Sequence, residues 1–436
     1  MKKYVVTSAQ RGAKVNKKFL ESIKNYCKIN KAELIILPIF YGNKKKRYTF
    51  DAQVEKYVIS KDINLNKNLL ASAIKITATA VNPLTSLQRY AKHSAIFAGT
   101  KLALKPIATS NHKLPKVIMT SGCVTEPFYP ESKAGDIASK DHINAAIIVE
   151  VVDKKYFHFT QVEANSKGEF TDRFRKYSGN KVIDNLAEGI VLGDIHTNSI
   201  CPLVRKATEE IIKLGKPKHI ILHDLMDSFS VSHHHINDLI KNVQKSEAKT
   251  DDLQKELESV SAYLDYMNKL NKGKLIVVKS NHDEALDRYI KEGRFFTDYK
   301  NLRLSLKLCD KMLDGFDAIE SYVKEMSKFK KSLKSVIFLN VDDDYQIAGI
   351  QCAKHGHIGA NGARNSLRTQ EIGAKKSVIG HSHSPHIFHK VWQVGTSTML
   401  KLEYNKGFSS WMNTHCIIYK DGTRQLLNMI NGKWKG

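Results

Sequence analysis

The amino-acid sequence predicts an α/β protein in two parts, an N-terminal α/β domain over residues 1–180 and a second domain over residues 181–436. Three observations favour this class. Apolar residues are 42% and charged residues 26% of a 436-residue chain, which is the composition of a globular protein. Short apolar runs alternate with helical stretches. From Lys181 onward the apolar runs end in polar, catalytic-type side chains, which is typical of an α/β sandwich with its site along one sheet edge.

The first domain begins with a strand–helix–strand pattern. Residues 3–7 form a short β-branched run, residues 16–30 have helical spacing, and residues 32–40 form a buried-strand run. Such a unit implies a parallel strand pair joined by a crossover helix. Strand patterns then dominate residues 95–165. No motif here carries chemistry, so substrate binding and self-association are the two roles that we consider.

In the second domain, the strand patterns are interrupted by two helical insertions, at about residues 234–271 and 284–333. The tail, about residues 391–436, returns to strands and turns. Asp421-Gly422 lies between two apolar runs and predicts a two-residue hairpin turn. The expected architecture of this part is therefore a β-sandwich flanked by helices, with a β-rich tail.

The charge balance favours a polyanionic partner. Lys and Arg total 69 and Asp and Glu total 44, which gives a formal net charge of +25. This surplus favours nucleic acid ahead of an anionic membrane surface. The first apolar run is too short for a signal peptide, and no run approaches the ~20 apolar residues of a membrane span. The six cysteines are scattered and predict reduced thiols, so we expect a cytoplasmic protein.

Five short segments, each just after a predicted strand, carry side chains that bind hard or borderline metal ions. Any one of them alone is weak evidence, but five in order along one stretch are not independent accidents. The segments are GDIH (193–196), HDLMD (223–227), SNHD (280–283), KHGH (354–357) and GHSH (380–383).

This ordered set resembles the signature of the calcineurin-like metallophosphoesterase superfamily, and the resemblance covers roughly residues 186–400. Two positions depart from the pattern, because His223 and Ser280 stand where glycine is usual. Both neighbour predicted ligands without being ligands themselves, so they affect loop geometry and substrate shape. The N-terminal domain, the HGHIGANGAR segment and the GFSSWMNTH tail further resemble a phage branch of the superfamily, which includes an early host-DNA-degrading deoxyribonuclease of T5-type phages.

The resemblance implies a metallophosphoesterase-type sandwich that holds two divalent metal ions, with manganese ahead of zinc or iron. Two ions in such a site need a shared carboxylate and mixed nitrogen and oxygen ligands. Asp224 would bridge the ions. The ligands of the first metal would be completed by Asp194, His196 and His383, and those of the second by Asn281, His355 and His381. The absence of thiolates argues against a soft metal.

The same resemblance implies hydrolysis by two-metal activation of water. His282 would protonate the leaving oxygen or stabilise its charge, and Asp283 would hold the tautomer of His282. A merely structural imidazole is the alternative for His282. Asp227 is expected to orient a ligand rather than bind metal. Four further residues are expected beside the metals or the substrate: His357, Asn361, Arg364 and His386.

Weaker signals remain open between a functional and a structural role. Gly356, Gly359 and Gly362 do not match a nucleotide-binding loop, so we predict tight turns and no nucleotide cofactor. A nucleic-acid contact is an alternative to surface exposure for His233-His234-His235. The same holds for the basic runs 44–47, followed by Tyr48, and 328–334. Apolar spacing in residues 299–333 indicates core packing or a homo-oligomer interface.

The predicted function is a metal-dependent phosphodiesterase, a deoxyribonuclease that acts on DNA. The first alternative is a phosphomonoesterase or protein phosphatase of the same fold. The second is a non-catalytic nucleic-acid-binding module with a degenerate metal site, against which the intact ligand set argues. Besides DNA, a second copy of the chain is an expected partner, and no membrane is.

Overall fold

A computed structural model of the protein describes residues 2–40, 49–74, 76–90, 92–110, 115–402 and 405–435. In chain order the strands are β1 (Lys2–Gln10), β2 (Ala32–Ile39), β3 (Ile63–Asn66), β4 (Leu69–Ser72), β5 (Ser94–Phe97), β6 (Leu102–Ile107), β7 (Thr109–Ser110), β8 (Lys116–Ser121), β9 (Ala145–Val151), β10 (Phe157–Glu163), β11 (Phe170–Asp172), β12 (Arg175–Ser178), β13 (Lys181–Asp184), β14 (Gly189–Val191), β15 (His219–His223), β16 (Lys274–Val278), β17 (Ile337–Leu339), β18 (Gln346–Ile347), β19 (Ile350–Gln351), β20 (Ser377–Ile379), β21 (His386–Phe388), β22 (Val391–Gln393), β23 (Phe408–Ser409), β24 (Asn413–Ile418) and β25 (Arg424–Met429).

The helices are α1 (Lys17–Asn30), α2 (Lys133–Lys140), α3 (Pro202–Gly215), α4 (Leu239–Glu247), α5 (Leu253–Leu270), α6 (Asn281–Lys291), α7 (Leu302–Leu313), α8 (Ala318–Ser321) and α9 (Leu367–Ala374). The predicted α/β class is confirmed, and α4 to α8 lie in the two predicted helical insertions. None of the helices in the described ranges has both the length and the apolar character that crossing a bilayer requires.

The N-terminal strand–helix–strand prediction is confirmed. β1 and β2 pair in parallel over eight residue pairs, and α1 connects them. Asn16 accepts a hydrogen bond from the Phe19 N–H and so caps the helix start. The apolar face of α1 packs on the sheet β10-β9-β1-β2, with Phe19, Ile23 and Tyr26 buried.

A sheet of six described strands, in the order β17-β16-β15-β14-β24-β25, has a different layer on each face. Alternate residues of β15 point to opposite sides, as the two-residue period of a strand requires. Ile220 and Leu222 pack in one core with Val204, Leu257 and other residues of the helices. Ile221, between them, packs in a core shared with the other sheets. The six-stranded sheet therefore lies between a layer of helices and a second layer of β-structure.

The second large sheet joins distant parts of the chain. Its described strands run β18-β19-β20-β22-β21-β6-β8-β5-β4-β3, and β21 pairs with β6 through Ile387 opposite Leu104. Strands from residues 63–121 thus continue a sheet built from residues 346–393. The ladder between β21 and β6 therefore connects residues on both sides of the boundary predicted at residue 180.

The β-rich tail forms a hairpin, but three residues rather than the predicted two connect its strands, because the Tyr419 N–H donates to the Thr423 carbonyl at 3.0 Å and the Gly422 N–H donates to the Tyr419 carbonyl at 2.9 Å. β24 and β25 pair antiparallel in six residue pairs, and Gly422 adopts a φ of 78° in the turn between them. That left-handed conformation has little cost for glycine. β24 also pairs with β14, so the hairpin extends the six-stranded sheet next to the strand that leads to Asp194.

Candidate metal centre

The predicted metal ligands lie where strands of the two large sheets end. β14, β15 and β16 are parallel neighbours, so their carboxyl ends share one edge. Asp194, Asp224 and Asn281 each follow one of these strands. His355 follows β19, and His381 follows β20 of the other sheet. Loops from two packed sheets therefore meet at one place.

A first group of ligand atoms surrounds one position in the protein interior. The Nε2 atom of His196 lies 3.0 Å from Nε2 of His383 and 3.6 Å from Oδ2 of Asp224. Nε2 of His383 lies 3.3 Å from Oδ2 of Asp194. All four residues are buried. Ring nitrogens and carboxylate oxygens at these distances form a geometry that suits one cation.

A second group shares Asp224 with the first. The Nε2 atom of His355 lies 3.2 Å from Oδ2 of Asp224 and 3.1 Å from Oδ1 of Asn281. The same amide oxygen lies 3.1 Å from Nδ1 of His381. His381 is exposed, so this side of the cluster opens to solvent. The structure thus brings together all seven residues for which the sequence predicted metal ligation, with Asp224 between the two groups.

The electrostatics of the cluster fit a pair of divalent cations. Within the described residues, both carboxylate oxygens of Asp194 and Oδ1 of Asp224 are buried without a hydrogen-bond partner. Burial raises the pKa of Asp194 well above its usual range, and the negative charge of Asp224 adds to this. Burial would also raise the pKa of Asp224, but the imidazoles of His355 and His282 hold it well below its usual range. Since unpartnered buried carboxylates are costly, bound cations would satisfy these oxygens.

The backbone at this cluster is held in an uncommon conformation. His196, Asp224, His381 and His383 have φ values of 46°, 47°, 80° and 57°, in the left-handed region that disfavours side chains other than glycine. Such residues persist where the surrounding structure fixes them, and they are common at ligand-binding sites. Gly380 has a related constraint, because a Cβ atom there would lie 2.3 Å from Oδ1 of Asp194.

Asp227 contacts two histidines of the centre. Its Oδ1 atom lies 2.6 Å from Nδ1 of His196, and its carbonyl oxygen lies 2.9 Å from Nδ1 of His282. Burial would lower the pKa of His196, but the Asp227 carboxylate, helped by Asp224, raises it to about 9. The carboxylate favours a proton on Nδ1 of His196, and a bound metal would displace the second proton of the imidazolium from Nε2. Asp227 thus lies where an orienting residue is expected.

His282 borders the first group of ligand atoms. Its ring lies 4.8 Å from that of His196, centroid to centroid, at 85°. Because a carbonyl oxygen only accepts hydrogen bonds, the contact with the Asp227 carbonyl requires a proton on Nδ1 of His282. Ser228 donates a hydrogen bond to the His282 carbonyl at 2.6 Å, which further fixes the residue.

The role predicted for Asp283 needs correction. Its Oδ2 atom accepts a hydrogen bond from the Ser280 N–H at 2.9 Å, and its own N–H donates to Oγ of Ser280, which forms a capping box at the start of α6. The acceptor for the His282 ring is Asp227 instead. Burial raises the pKa of Asp283 to about 7, against the lowering effect of Lys279. Asp283 therefore supports the helix that presents Asn281 and His282.

The residues expected beside the substrate lie at the rim. Nε2 of His357 is 3.4 Å from Oε2 of Glu284, and its ring is 5.3 Å from that of His355. Asn361 and Arg364 are exposed in the loop that follows. The Asn365 side chain donates to the Gly356 carbonyl at 3.1 Å and closes this loop. Gly356 and Gly362 have φ values of 114° and 75°, as tight turns require, whereas Gly359 is extended with a φ of −102°.

His386 does not lie among the ligands in the way expected. It begins β21, where its backbone pairs with Gln393. Burial lowers its pKa to about 4, so the ring is neutral. Within the described residues, no hydrogen bond, ion pair or ring contact joins His386 to a predicted ligand, and its Nδ1 atom is buried without a hydrogen-bond partner.

Two buried histidines of the centre have roles that sequence reasoning missed. His223 immediately precedes Asp224 in the sequence. Neither nitrogen of its ring has a hydrogen-bond partner among the described residues, and burial lowers the pKa of the ring to about 3. His415 accepts a hydrogen bond from the Gly193 N–H at 2.9 Å through Nδ1, and its Nε2 lies 2.8 Å from Oγ1 of Thr208. It thereby fixes the loop before Asp194. His223 could have been noticed because histidine stands there in place of the usual glycine. The sequence around His415 contains no comparable feature.

The weaker sequence signals lie outside this cluster. His233–His235 form a short 3₁₀ turn after Ser232, and His234 is exposed. The lysines of the run 328–334 are exposed as well. The basic run 44–47 and Tyr48 lie outside the described residues.

Comparison with known proteins gives one relative of the chain. It is similar to "Protein A1" of Escherichia phage T5, with 27% identity over 462 aligned positions that cover 99% of this chain and 83% of that protein. No protein-family model and no solved structure matches the chain. The similarity links the chain to a phage protein whose name describes no activity.

Proposed function

We propose that this protein is a metal-dependent phosphodiesterase that hydrolyses DNA. The observation that carries the proposal is the sharing of Asp224 by two ligand groups, one with His196, His383 and Asp194 and one with Asn281, His355 and His381. Two bound divalent cations, with manganese ahead of zinc or iron, would supply phosphate charge neutralisation and an activated water. The metallophosphoesterase resemblance of the five motifs supports the same reaction.

The residues of the chain prepare the site for a phosphodiester. Asp227 orients His196 through its carboxylate and His282 through its carbonyl. With Nδ1 held by that carbonyl, Nε2 of His282 is the atom to deliver a proton to the leaving oxygen. Asp283 and Ser280 fix the helix start from which Asn281 and His282 project. Exposed His381 marks the open side, where a phosphate would enter.

The polymer substrate is supported by charge. A net charge of +25 attracts a polyanion and makes its binding depend steeply on salt. A phosphomonoesterase acting on a small substrate would not share this dependence. Hydrolysis of DNA that weakens steeply with added salt would favour the nuclease, while salt-indifferent turnover of an aryl phosphate monoester would favour the alternative.

The decisive experiment is incubation of the purified protein with circular plasmid and Mn²⁺, with and without a chelator. We expect nicking or linearisation that the chelator abolishes. Asp224→Asn should remove this activity and leave the fold intact, because it replaces the shared carboxylate with an amide of equal size. Asp314→Asn, at an exposed helix end, is the matched control and should cut like the wild type. Unchanged cleavage by Asp224→Asn would refute the proposed function.

A further inference from the structure

We propose that Phe408 and Trp411 form a base-stacking platform beside the metal centre and bind unpaired nucleotides next to the phosphate that is cleaved. This inference rests on the proposed nuclease function and names the form of DNA that the site takes. It assigns a task to the segment of residues 405–412, which the ligand groups leave unexplained.

Trp411 and its neighbours contact the loop that carries His383, which is one of the predicted ligands. Its ring lies 4.2 Å from that of His383, centroid to centroid, at 63°. The Met412 N–H donates to the His383 carbonyl at 3.1 Å, and the hydroxyls of Ser410 and Ser384 are 2.9 Å apart. These contacts fix the position of the half-buried Trp411 relative to the first ligand group.

Phe408 is a large apolar side chain held at the surface. It is 77% exposed, although it belongs to β23, which pairs with β7 by placing Phe408 opposite Ser110. Oγ of Ser409 accepts hydrogen bonds from the Trp411 N–H at 3.2 Å and from the Asn405 side chain at 3.1 Å. The segment is therefore braced on both sides of Phe408, which lowers the entropic cost of using the ring in binding.

Nucleobases are the ligand that this arrangement fits. Phe408 is three residues before Trp411 in the sequence, and an exposed aromatic ring can stack on the face of any unpaired base. The positive charge of the protein attracts the phosphate backbone without distinguishing paired from unpaired strands. Stacking at this position would hold the nucleotide that adjoins the metal centre, so single strands and frayed ends would bind better than closed duplex.

A purely structural role for the aromatic residues makes a different prediction. If Trp411 only supported His383, its loss would weaken metal binding, and Phe408 would be dispensable. No ring contact among the described residues joins Phe408 to a predicted ligand. Phe408→Ala therefore tests the platform without touching the metal centre, and Phe408→Tyr is the conservative variant that keeps the stacking surface.

The binding test measures the affinity of a fluorescent single-stranded DNA oligonucleotide by anisotropy, in excess chelator so that no cleavage occurs. We expect Phe408→Ala to bind about tenfold more weakly, as loss of one base–aromatic stack implies. Phe408→Tyr should bind like the wild type, and so should Tyr299→Ala, which removes another aromatic ring that is 85% exposed. The slope of affinity against salt should not change, because no cation is removed. The loss should be smaller for blunt duplex DNA.

Abasic substitutions in the oligonucleotide locate the platform. At the position that stacks on Phe408, removing the base should weaken wild-type binding and leave Phe408→Ala unaffected. Equal single-strand affinity of Phe408→Ala and the wild type would overturn the platform, as would an equal abasic penalty in both proteins.

A small substrate separates failure of the platform from failure of the nuclease. Hydrolysis of bis(4-nitrophenyl) phosphate with Mn²⁺ by the wild type tests the phosphodiesterase chemistry without a nucleobase, and Tyr299→Ala should hydrolyse it at the wild-type rate. If the wild type degrades DNA and Phe408→Ala degrades and binds it equally well, only the platform is wrong. If the wild type neither binds DNA nor hydrolyses the diester, both proposals fall.

Discussion

The carboxylate of Asp227 lies 2.6 Å from Nδ1 of His196, on the side of the ring opposite the predicted metal position. This contact selects the ring nitrogen that faces His383 and Asp224. A neutral amide at residue 227 keeps the shape of the contact but not its charge. We expect Asp227→Asn to bind Mn²⁺ about 10–100-fold more weakly, as is usual for partners of metal-ligating histidines. Titration calorimetry measures this, with Asp314→Asn as control, and equal affinity of the variant and the wild type would contradict the role.

Gly380 leaves room for the Asp194 carboxylate. A Cβ atom at residue 380 would lie 2.3 Å from Oδ1 of Asp194 and 3.3 Å from Cγ of His223. We therefore expect Gly380→Ala to displace the carboxylate, to impair Mn²⁺ binding and to lower the free energy of unfolding by about 1–3 kcal/mol. Urea unfolding and calorimetry test this.

The matched control for that substitution is Gly373→Ala. Gly373 lies inside α9, and nothing approaches within 4 Å of its added Cβ. Alanine is the better helix former, so stability should stay equal or rise by up to about 1 kcal/mol. Equal behaviour of the two alanine variants would show that space at residue 380 does not matter.

Cation binding should stabilise the whole protein, since both carboxylate oxygens of Asp194 and Oδ1 of Asp224 are buried without a hydrogen-bond partner in the described chain. A ligand at 100 times its Kd raises the free energy of unfolding by about 2.7 kcal/mol. We expect Mn²⁺ to raise the Tm in differential scanning calorimetry and the chelator to reverse the rise. Asp224→Asn should respond much less. A wild-type Tm that is independent of Mn²⁺ would argue against a metal centre.

Acid should destabilise the protein partly through His142. Its Nε2 lies 2.8 Å from the Thr125 carbonyl and its Nδ1 lies 2.9 Å from the Tyr129 hydroxyl, which fits a neutral ring. Burial lowers the pKa of His142 to about 4 in the folded protein, from 6.5. The unfolded chain therefore takes up the proton first, so this stabilisation is present above pH 6.5 and is lost as the pH falls toward 4.

The measurement for this prediction is urea unfolding at about pH 7.5 and about pH 5. Because other histidines also titrate, the quantity that matters is the difference between the wild type and His142→Gln. The wild type should lose more stability between the two pH values than the variant does. An identical loss in both would exclude His142 as a source of acid sensitivity.

The ligand cluster was predictable because its signals are local. Asp194, Asp224 and Asn281 each follow an apolar run, and parallel neighbouring strands bring such positions to one edge. The resemblance of the ordered motifs to a known signature then distinguished the predicted ligands from other polar residues. The crossover unit of β1, α1 and β2 was predictable for a similar reason, since each element has its own period.

One strand pairing and the role of one residue could not be predicted from local sequence patterns. β21 pairs with β6 and places Ile387 opposite Leu104. The hydrophobic periodicity of each segment does not indicate which remote strand it pairs with. The role of Asp283 was misjudged because it neighbours His282 in sequence. Both residues lie in the first turn of α6, where adjacent side chains point in different directions. The carbonyl of Asp227, 55 positions away, was thus the closer partner of His282.

The ladder between β21 and β6 also limits how the gene can be divided. A fragment starting at residue 181 would keep every predicted ligand, yet its β21 would lose the neighbour supplied by Leu102–Ile107 and expose unpaired backbone groups. An edge strand with unpaired backbone groups promotes aggregation. A minimal expression fragment that carries the ligands should therefore retain the early strands, even though they contribute no ligand themselves.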